Sequence, residues 1–265
     1  MRASFSRRLE AAYVVLLYGF LLAPILIVLV TSLNSGSNLT FPPEGISLRW
    51  FRYLAGRDEF ISSTYVSFRL AMAASATSIV LGLLASLAVA RERFRGKEVV
   101  ESLLMSPLVL PGIITGVALL QFFTLAGLAN SFLRLFLGHV VICTPYAVRS
   151  ISSCLYGIDP DLEEASYVMG ANAWRTFRRV LLPLLRPGIL AAFLFTFVTS
   201  FDNVVVSMYL VGSDTITLPI RIMTYLQWQL DPSVAAISTI FIAITVTLVV
   251  VGERVTGMGR RTTLV

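Results

Sequence analysis

The sequence predicts an all-α fold: a polytopic membrane bundle of six transmembrane helices, forming one domain over residues 1–265. Three observations predict it. The composition is too apolar for a soluble core, the apolar residues gather into six long segments, and Lys and Arg fall unevenly between the connecting loops. Of the 265 residues, 56% are hydrophobic and 14% charged, whereas a soluble domain carries about 45–50% apolar and roughly 25% charged residues. Membrane lipid can cover the outward faces that packed protein cannot.

The first segment, about 11–33, follows Arg2, Arg7 and Arg8 and so imitates a signal peptide. Its apolar run from Ala11 to Val30 matches the ~20 residues that span a bilayer, whereas a signal core is about 7–15. No small-x-small cleavage site follows, so it reads as a retained first helix. The second segment runs about 64–90. The third, about 101–125, holds Pro107 and Pro111, which should bend or interrupt it where neighbours satisfy the freed carbonyls. A short turn around Gly127 separates it from the fourth, about 130–150. The fifth covers about 188–211 and the sixth about 234–252.

Charge orients the bundle. With the N-terminus in the cytoplasm, the loops on that side hold fifteen Lys and Arg, Arg93, Arg260 and Arg261 among them, and the opposite side holds six. The positive-inside rule then puts both termini in the cytoplasm. The net charge of +6 is explained the same way. No basic stripe lies outside such loops, so nucleic acid is not an expected partner. Cys143 and Cys154 read as small apolar fillers, and no spacing suits a metal.

Two loops are long. Residues 34–63 lie outside and contain Pro42, Pro43 and Gly45, with Trp50 as an interfacial aromatic or part of a docking surface. Residues 151–187 lie inside and read "GIDPDLEEASYVMGANAWRTFRRVLLPLLRPG" from Gly157 onward. Asp159 suits an N-cap and Pro160 a first helical position. Asp161, Glu163 and Glu164 meet the positive end of the helix dipole. Leu162, Ala165, Ser166 and Met169 form one small apolar face. Gly170 suits a left-handed cap and Asn172 starts a second helix, which Pro183 and Pro187 should close. Two short amphipathic helices joined at a glycine could lie on a membrane surface or dock into a protein groove.

The run Glu164-Ala165-Ser166, three residues, Gly170, nine residues, Val180, one residue, Leu182-Pro183 resembles the EAA motif of ABC importer permeases. Ser166 replaces the second Ala and Val180 the usual Ile, and the spacing matches throughout. "FPPEGISLRWFRYL", "SPLVLPGIITGVALL" and "SFDNVVVSMYLVG" extend the likeness over nearly the whole chain, toward the polyamine-type, spermidine/putrescine permeases. The resemblance implies a type I ABC importer permease fold in a bacterial inner membrane. It implies that Glu164, Ala165, Ser166, Gly170, Leu182 and Pro183 belong to an element that couples to an ATPase. The implied partners are a second permease subunit forming a heterodimer, two ATPase subunits and a periplasmic solute-binding protein. ATP and Mg would be bound by the ATPase subunits, with no cofactor in this chain.

Charges inside spans are costly and point to function. Asp202, followed by Asn203, falls in the fifth segment. It reads as a cation-attracting wall of a translocation pathway or as a hydrogen bond that fixes helix packing. In the resembling family the second position often carries another acid; here it is Asn203. His139 reads as a packing residue or a titrating gate. Tyr146 and Arg149 read as lining the pathway's mouth or as interfacial anchors. No P-loop, phosphate cradle or Ser-His-Asp set is present, so the chain is expected to catalyse nothing itself. The expected substrate is a polyamine or related cationic amine, with an amino-acid derivative, opine or phosphonate as the alternative. An ion-coupled secondary carrier would call for inverted repeats and matched half-helices, and an intramembrane hydrolase for paired catalytic groups; neither pattern is found.

Overall fold

The computed structural model describes residues 2–92 and 94–256; Arg93, Arg260 and Arg261 lie outside the described residues. The order of elements is α1 Arg2–Ser32, α2 Arg49–Ala55, α3 Asp58–Arg91, α4 Lys97–Val109, α5 Gly112–Leu125 and α6 Ser131–Tyr156. There follow α7 Asp161–Val168, α8 Ala173–Thr176, a π-helical turn Phe177–Leu181, α9 Leu182–Phe201, α10 Ser207–Leu210, α11 Leu218–Trp228 and α12 Ser233–Thr256. Among the described residues, four stretches are long and apolar enough to cross a membrane: Glu10–Ser32, Asp58–Arg91, Ser131–Tyr156 and Ala173–Phe201. The pair α4 and α5 makes a fifth if counted as one broken span, and α12 carries a shorter apolar stretch, Ser233–Leu248.

The third segment is interrupted at Pro111, while Pro107 stays inside α4. The chain bends by 109° between Val109 and Gly112, with Leu110 and Pro111 extended between the two helices. Pro111 cannot donate to the preceding turn, and the residue before it is pushed out of helical geometry.

Two expectations are corrected. Pro183 and Pro187 do not close the second short helix: the chain stays helical from Ala173 to Phe201 with both inside it. The π-helical turn just before them, where the Leu182 N–H reaches the Phe177 carbonyl, has already shifted the bonding register by one residue. A proline in the next turn therefore displaces less of a regular ladder. The fifth segment is not continuous over 188–211 either. It stops at Phe201, and Asp202 is the C-cap of α9.

The contacts gather into two units. One comprises Met1–Ile61 with Ile222–Ile244, the other Ser62–Arg221 with Thr245–Val265. In the first, Asn34 is fully buried and organises the loop after α1. Its Oδ1 accepts from the Gly36 and Glu44 N–H groups, each at 3.0 Å, and its Nδ2 donates to the Asn38 carbonyl at 3.0 Å. Trp50 is buried and donates its indole N–H to the Gly36 carbonyl, so it holds this loop rather than standing free at an interface. Phe60 meets Tyr225 edge-on, and the Tyr225 hydroxyl donates to Asp231 at 2.7 Å.

The second unit is built around α6. On one side α3 runs parallel to it along Ser78, Gly82 and Ser86, spaced four apart. Ser86 Oγ donates to the Val148 carbonyl at 3.1 Å, and Ser152 Oγ donates to Ser86 Oγ at 3.0 Å. A Cβ on Gly82 would stand 2.6 Å from that of Ala147. Small residues let the backbones close, and hydroxyl bonds fix the register, as apolar attraction alone cannot do in lipid. On the other side α9 runs antiparallel, with Cys143 Sγ donating to the Thr196 carbonyl and Gly188 set against Cys154. α6 continues to Tyr156, past the expected end near 150, because Ile151 and Leu155 prolong its buried stripe into a cluster with Leu181 and Leu185.

Candidate functional site

Two regions of this second unit carry the sequence-derived site residues. The first is the hairpin between α6 and α9. The Asp159 carboxylate accepts the Asp161 N–H at 3.0 Å, and the acids of the first turn follow it, satisfying donors that a helix start leaves open. α7 ends in a Schellman arrangement. The Ala171 N–H reaches the Ser166 carbonyl at 3.1 Å and the Gly170 N–H the Tyr167 carbonyl at 2.9 Å, with Gly170 at φ +81°. Asn172 Oδ1 accepts the Arg175 N–H at 2.9 Å and starts α8.

Ser166 Oγ lies 3.0 Å from Thr176 Oγ1, the latter buried. The hydroxyl that departs from the Ala of the motif is thus what pins the two arms of the hairpin. Between the arms opens a cavity of about 480 Å³, lined by Leu162, Ala165, Ser166, Met169, Arg175 and Arg179. Val168 and Met169 are 88% and 89% exposed, and Trp174 66%. The hairpin thus presents apolar side chains to solvent beside Arg175 and Arg179.

Glu164, Ala165, Ser166 and Gly170 come together on this hairpin. Leu182 and Pro183 do not join them. They stand at the start of α9 and line a separate groove of about 820 Å³ with Ile79, Arg186, Pro187 and Phe193. The sequence reading missed Arg91, counted only as a loop charge. Its Nε lies 2.8 Å from Glu163 Oε1, and its Nη2 donates to the Ile158 carbonyl at 3.2 Å. A basic residue in the last turn of one helix and an acid in the first turn of another were the only signals in the sequence.

The second region is the end of α9. Asp202 is exposed at the C-cap, and its carboxylate takes no hydrogen bond within the described residues. Asn203 is spent on the backbone: its Oδ1 accepts the Val206 N–H at 3.0 Å and the Ser207 N–H at 3.1 Å, capping the turn that leads into α10. Three glycines make room for the segment that follows. A Cβ on Gly112 would approach Val205 at 3.2 Å, one on Gly116 would approach Tyr209 at 2.5 Å, and one on Gly138 would collide with Leu210.

His139 is fully buried beside this break, bonded through both ring nitrogens. Tyr146 is half-buried and Arg149 exposed on α6, seven and ten residues past His139. At ~1.5 Å per residue this puts them roughly 10–15 Å along the helix from the level of His139. The structure therefore does not bring Tyr146 and Arg149 to Asp202. Among the described residues, no cluster of His, Cys, Asp or Glu is placed to hold a metal.

Residues 78–258 match the family described as binding-protein-dependent transport system inner membrane component. The chain is 33% identical over 248 residues to the spermidine/putrescine transport system permease protein PotC of Haemophilus influenzae, covering 94% of this chain and 96% of that one. It is 32% identical over 238 residues to the putrescine transport system permease protein PotI of Escherichia coli, covering 86% and 84%. In structure it is similar to a chain of a bacterial ABC transporter involved in the import of the acidic polysaccharide alginate. The TM-score is 0.72 at 17% identity, over 96% of each chain, which speaks for the fold.

Proposed function

The chain belongs to the family of binding-protein-dependent transport system inner membrane components, and from that membership we propose that it forms half of the translocation pathway of an ATP-driven importer for a polyamine or related cationic amine. The single observation that carries the coupling role is the hairpin. Two capped helices meet at the left-handed Gly170 and leave Val168, Met169 and Trp174 uncovered. An ATPase subunit covers that surface, and its nucleotide cycle moves the hairpin. The chain itself supplies no phosphate cradle; ATP and Mg belong to the ATPase pair, and solute selection to a periplasmic binding protein. A second permease subunit completes the pathway.

The substrate class rests on the likeness to PotC and PotI and on Asp202, an exposed carboxylate at a break in an otherwise apolar helix. A cation passing through low dielectric loses hydration, and a fixed carboxylate offsets part of that loss. Of the residues expected along the pathway, Asp202 takes the electrostatic role, Asn203 shapes the turn, and Tyr146 and Arg149 stand at a different depth. Both termini and the hairpin face the cytoplasm, as the charge asymmetry of the loops requires.

The test is transport in proteoliposomes holding the complete complex, with ATP on the hairpin side and putrescine-loaded binding protein on the other. ATP-dependent accumulation of putrescine is expected. Accumulation of an amino-acid derivative or a phosphonate with none of putrescine would overturn the substrate class. A reporter fused after Val265 should behave as cytoplasmic and one inserted at Gly45 as periplasmic; the reverse pattern would overturn the orientation.

A further inference from the structure

We propose that His139 is a positioning residue for Asp202: its neutral ring, protonated on Nε2, clasps the two ends of the break between α9 and α10 and thereby holds the carboxylate at the pathway. The proposal rests on the reading of Asp202 given above and names what fixes it in place.

One assignment of donors pairs every atom of the clasp. Asn203 Oδ1 accepts two backbone N–H groups, so the amide is oriented and this atom can only accept. The Ser207 hydroxyl donates to that same oxygen at 3.4 Å, which commits its one hydrogen. Ser207 Oγ, 2.8 Å from His139 Nε2, must then accept from the ring. A neutral imidazole with its proton on Nε2 has an acceptor at Nδ1, and Ser200 Oγ donates to it at 2.7 Å. The chain of donors runs from Ser200 through His139 and Ser207 to Asn203.

Ser200 lies in the last turn of α9 and Ser207 opens α10. The four residues directly between Phe201 and Val206 therefore form a loop whose two ends are tied to one ring on α6. Ser200, His139 and Ser207 are 3%, 0% and 0% exposed, so water cannot replace either bond, and losing one leaves a buried polar group unpaired. Asp202 sits inside this tied loop: its N–H closes the last turn of α9 on the Val198 carbonyl at 3.0 Å, while its carboxylate takes no hydrogen bond among the described residues. The tied ends of the loop therefore set where that carboxylate stands.

His139 is the only histidine of the chain, so when this subunit alone is labelled with nitrogen-15 histidine and assembled with unlabelled partners, the signal reports His139 without assignment, provided its affinity tag contains none. In the assembled complex in nanodiscs, NMR should show a protonated Nε2 and an unprotonated Nδ1. A proton on Nδ1, or on both nitrogens, would overturn the clasp as drawn.

The functional arm uses Ser207→Ala, His139→Gln and His139→Leu. Ser207→Ala and His139→Leu should lower maximal putrescine uptake about tenfold, the worth of roughly one hydrogen bond, while ATP hydrolysis stimulated by the binding protein stays near its normal rate. His139→Gln, which still offers an N–H and a carbonyl, should recover most of the uptake. A general packing defect would lower uptake and ATP hydrolysis together, and that result overturns the positioning role. Should His139→Leu fail to assemble, Ser207→Ala and His139→Gln still decide the matter.

Asp202→Asn separates this proposal from its premise. Normal uptake by Asp202→Asn ends the electrostatic reading of Asp202 and this proposal with it. Impaired uptake by Asp202→Asn beside normal uptake by Ser207→Ala ends the positioning role alone. Adding Ser207→Ala to Asp202→Asn should lower uptake no further, because both act through the same carboxylate.

Discussion

Arg91 Nε lies 2.8 Å from Glu163 Oε1, tying the last turn of α3 to the first turn of α7, with side chains 22% and 15% exposed. The same guanidinium holds the Ile158 carbonyl just before the hairpin. α3 in turn packs on α6 along Ser78, Gly82 and Ser86. α7 is thus joined to α3 through a charge pair, as well as to α9 through the backbone. Arg91→Glu should depress ATP-driven uptake at least about tenfold, since it leaves two like charges together where one pair was mostly shielded. The reciprocal swap Arg91→Glu with Glu163→Arg should restore a good part of it. Uptake measured for both singles and the double decides; a double no better than the singles would remove the pair from the coupling route.

Gly170 joins the hairpin's arms at φ +81°, and a Cβ there would meet nothing within 4 Å. The demand is on the backbone alone. Gly170→Asn, which tolerates the left-handed region, should keep most uptake. Gly170→Val should cost about 1–2 kcal/mol locally and lose coupling. Gly170→Asp also tests the site, placing a charge where a partner packs; it should insert normally yet fail to transport. Uptake normalised to membrane-inserted protein is the measurement, and normal uptake by a well-expressed Gly170→Asp complex would sink the docking role.

The Asp202 side chain is exposed and takes no hydrogen bond among the described residues, so little packing depends on it. Asp202→Asn and Asp202→Ala should both assemble at normal yield, and both should transport putrescine poorly. Complex yield and uptake are measured side by side. Poor assembly of Asp202→Ala with normal uptake by Asp202→Asn would return the residue to a packing role.

Gly82 faces the α6 backbone so closely that an added Cβ would stand 2.6 Å from the Ala147 Cβ and 3.0 Å from the Val148 nitrogen. Backbone cannot step aside as a side chain can. Gly82→Ala should destabilise the subunit by about 1–3 kcal/mol, and Gly82→Leu should prevent assembly. Thermal unfolding of the detergent-purified complex reads the first and membrane yield the second.

Sequence alone determined the class of fold, because composition and periodic apolar length are properties of the chain that any bilayer reads the same way. It determined the local punctuation too. The break at Pro111, the left-handed Gly170 and the Asn172 cap each follow from what one residue's backbone or short side chain can do. The hairpin was legible for that reason. Tertiary structure alone decided where the fifth helix stops and what holds it there. Residues 188–211 are apolar apart from scattered hydroxyl side chains and a single Asp-Asn pair, and no local rule says whether a helix breaks at such a pair or runs through it. Ser200 and Ser207 are seven apart, a spacing that suits one face of a continuous helix equally well. They become the two ends of a break only because His139, sixty-one residues before Ser200, arrives between them, and because Gly112, Gly116 and Gly138 leave space for the displaced segment. The Arg91–Glu163 pair was hidden for the same reason: a charge seventy-two positions away has no signature in the chain until folding brings it within 2.8 Å.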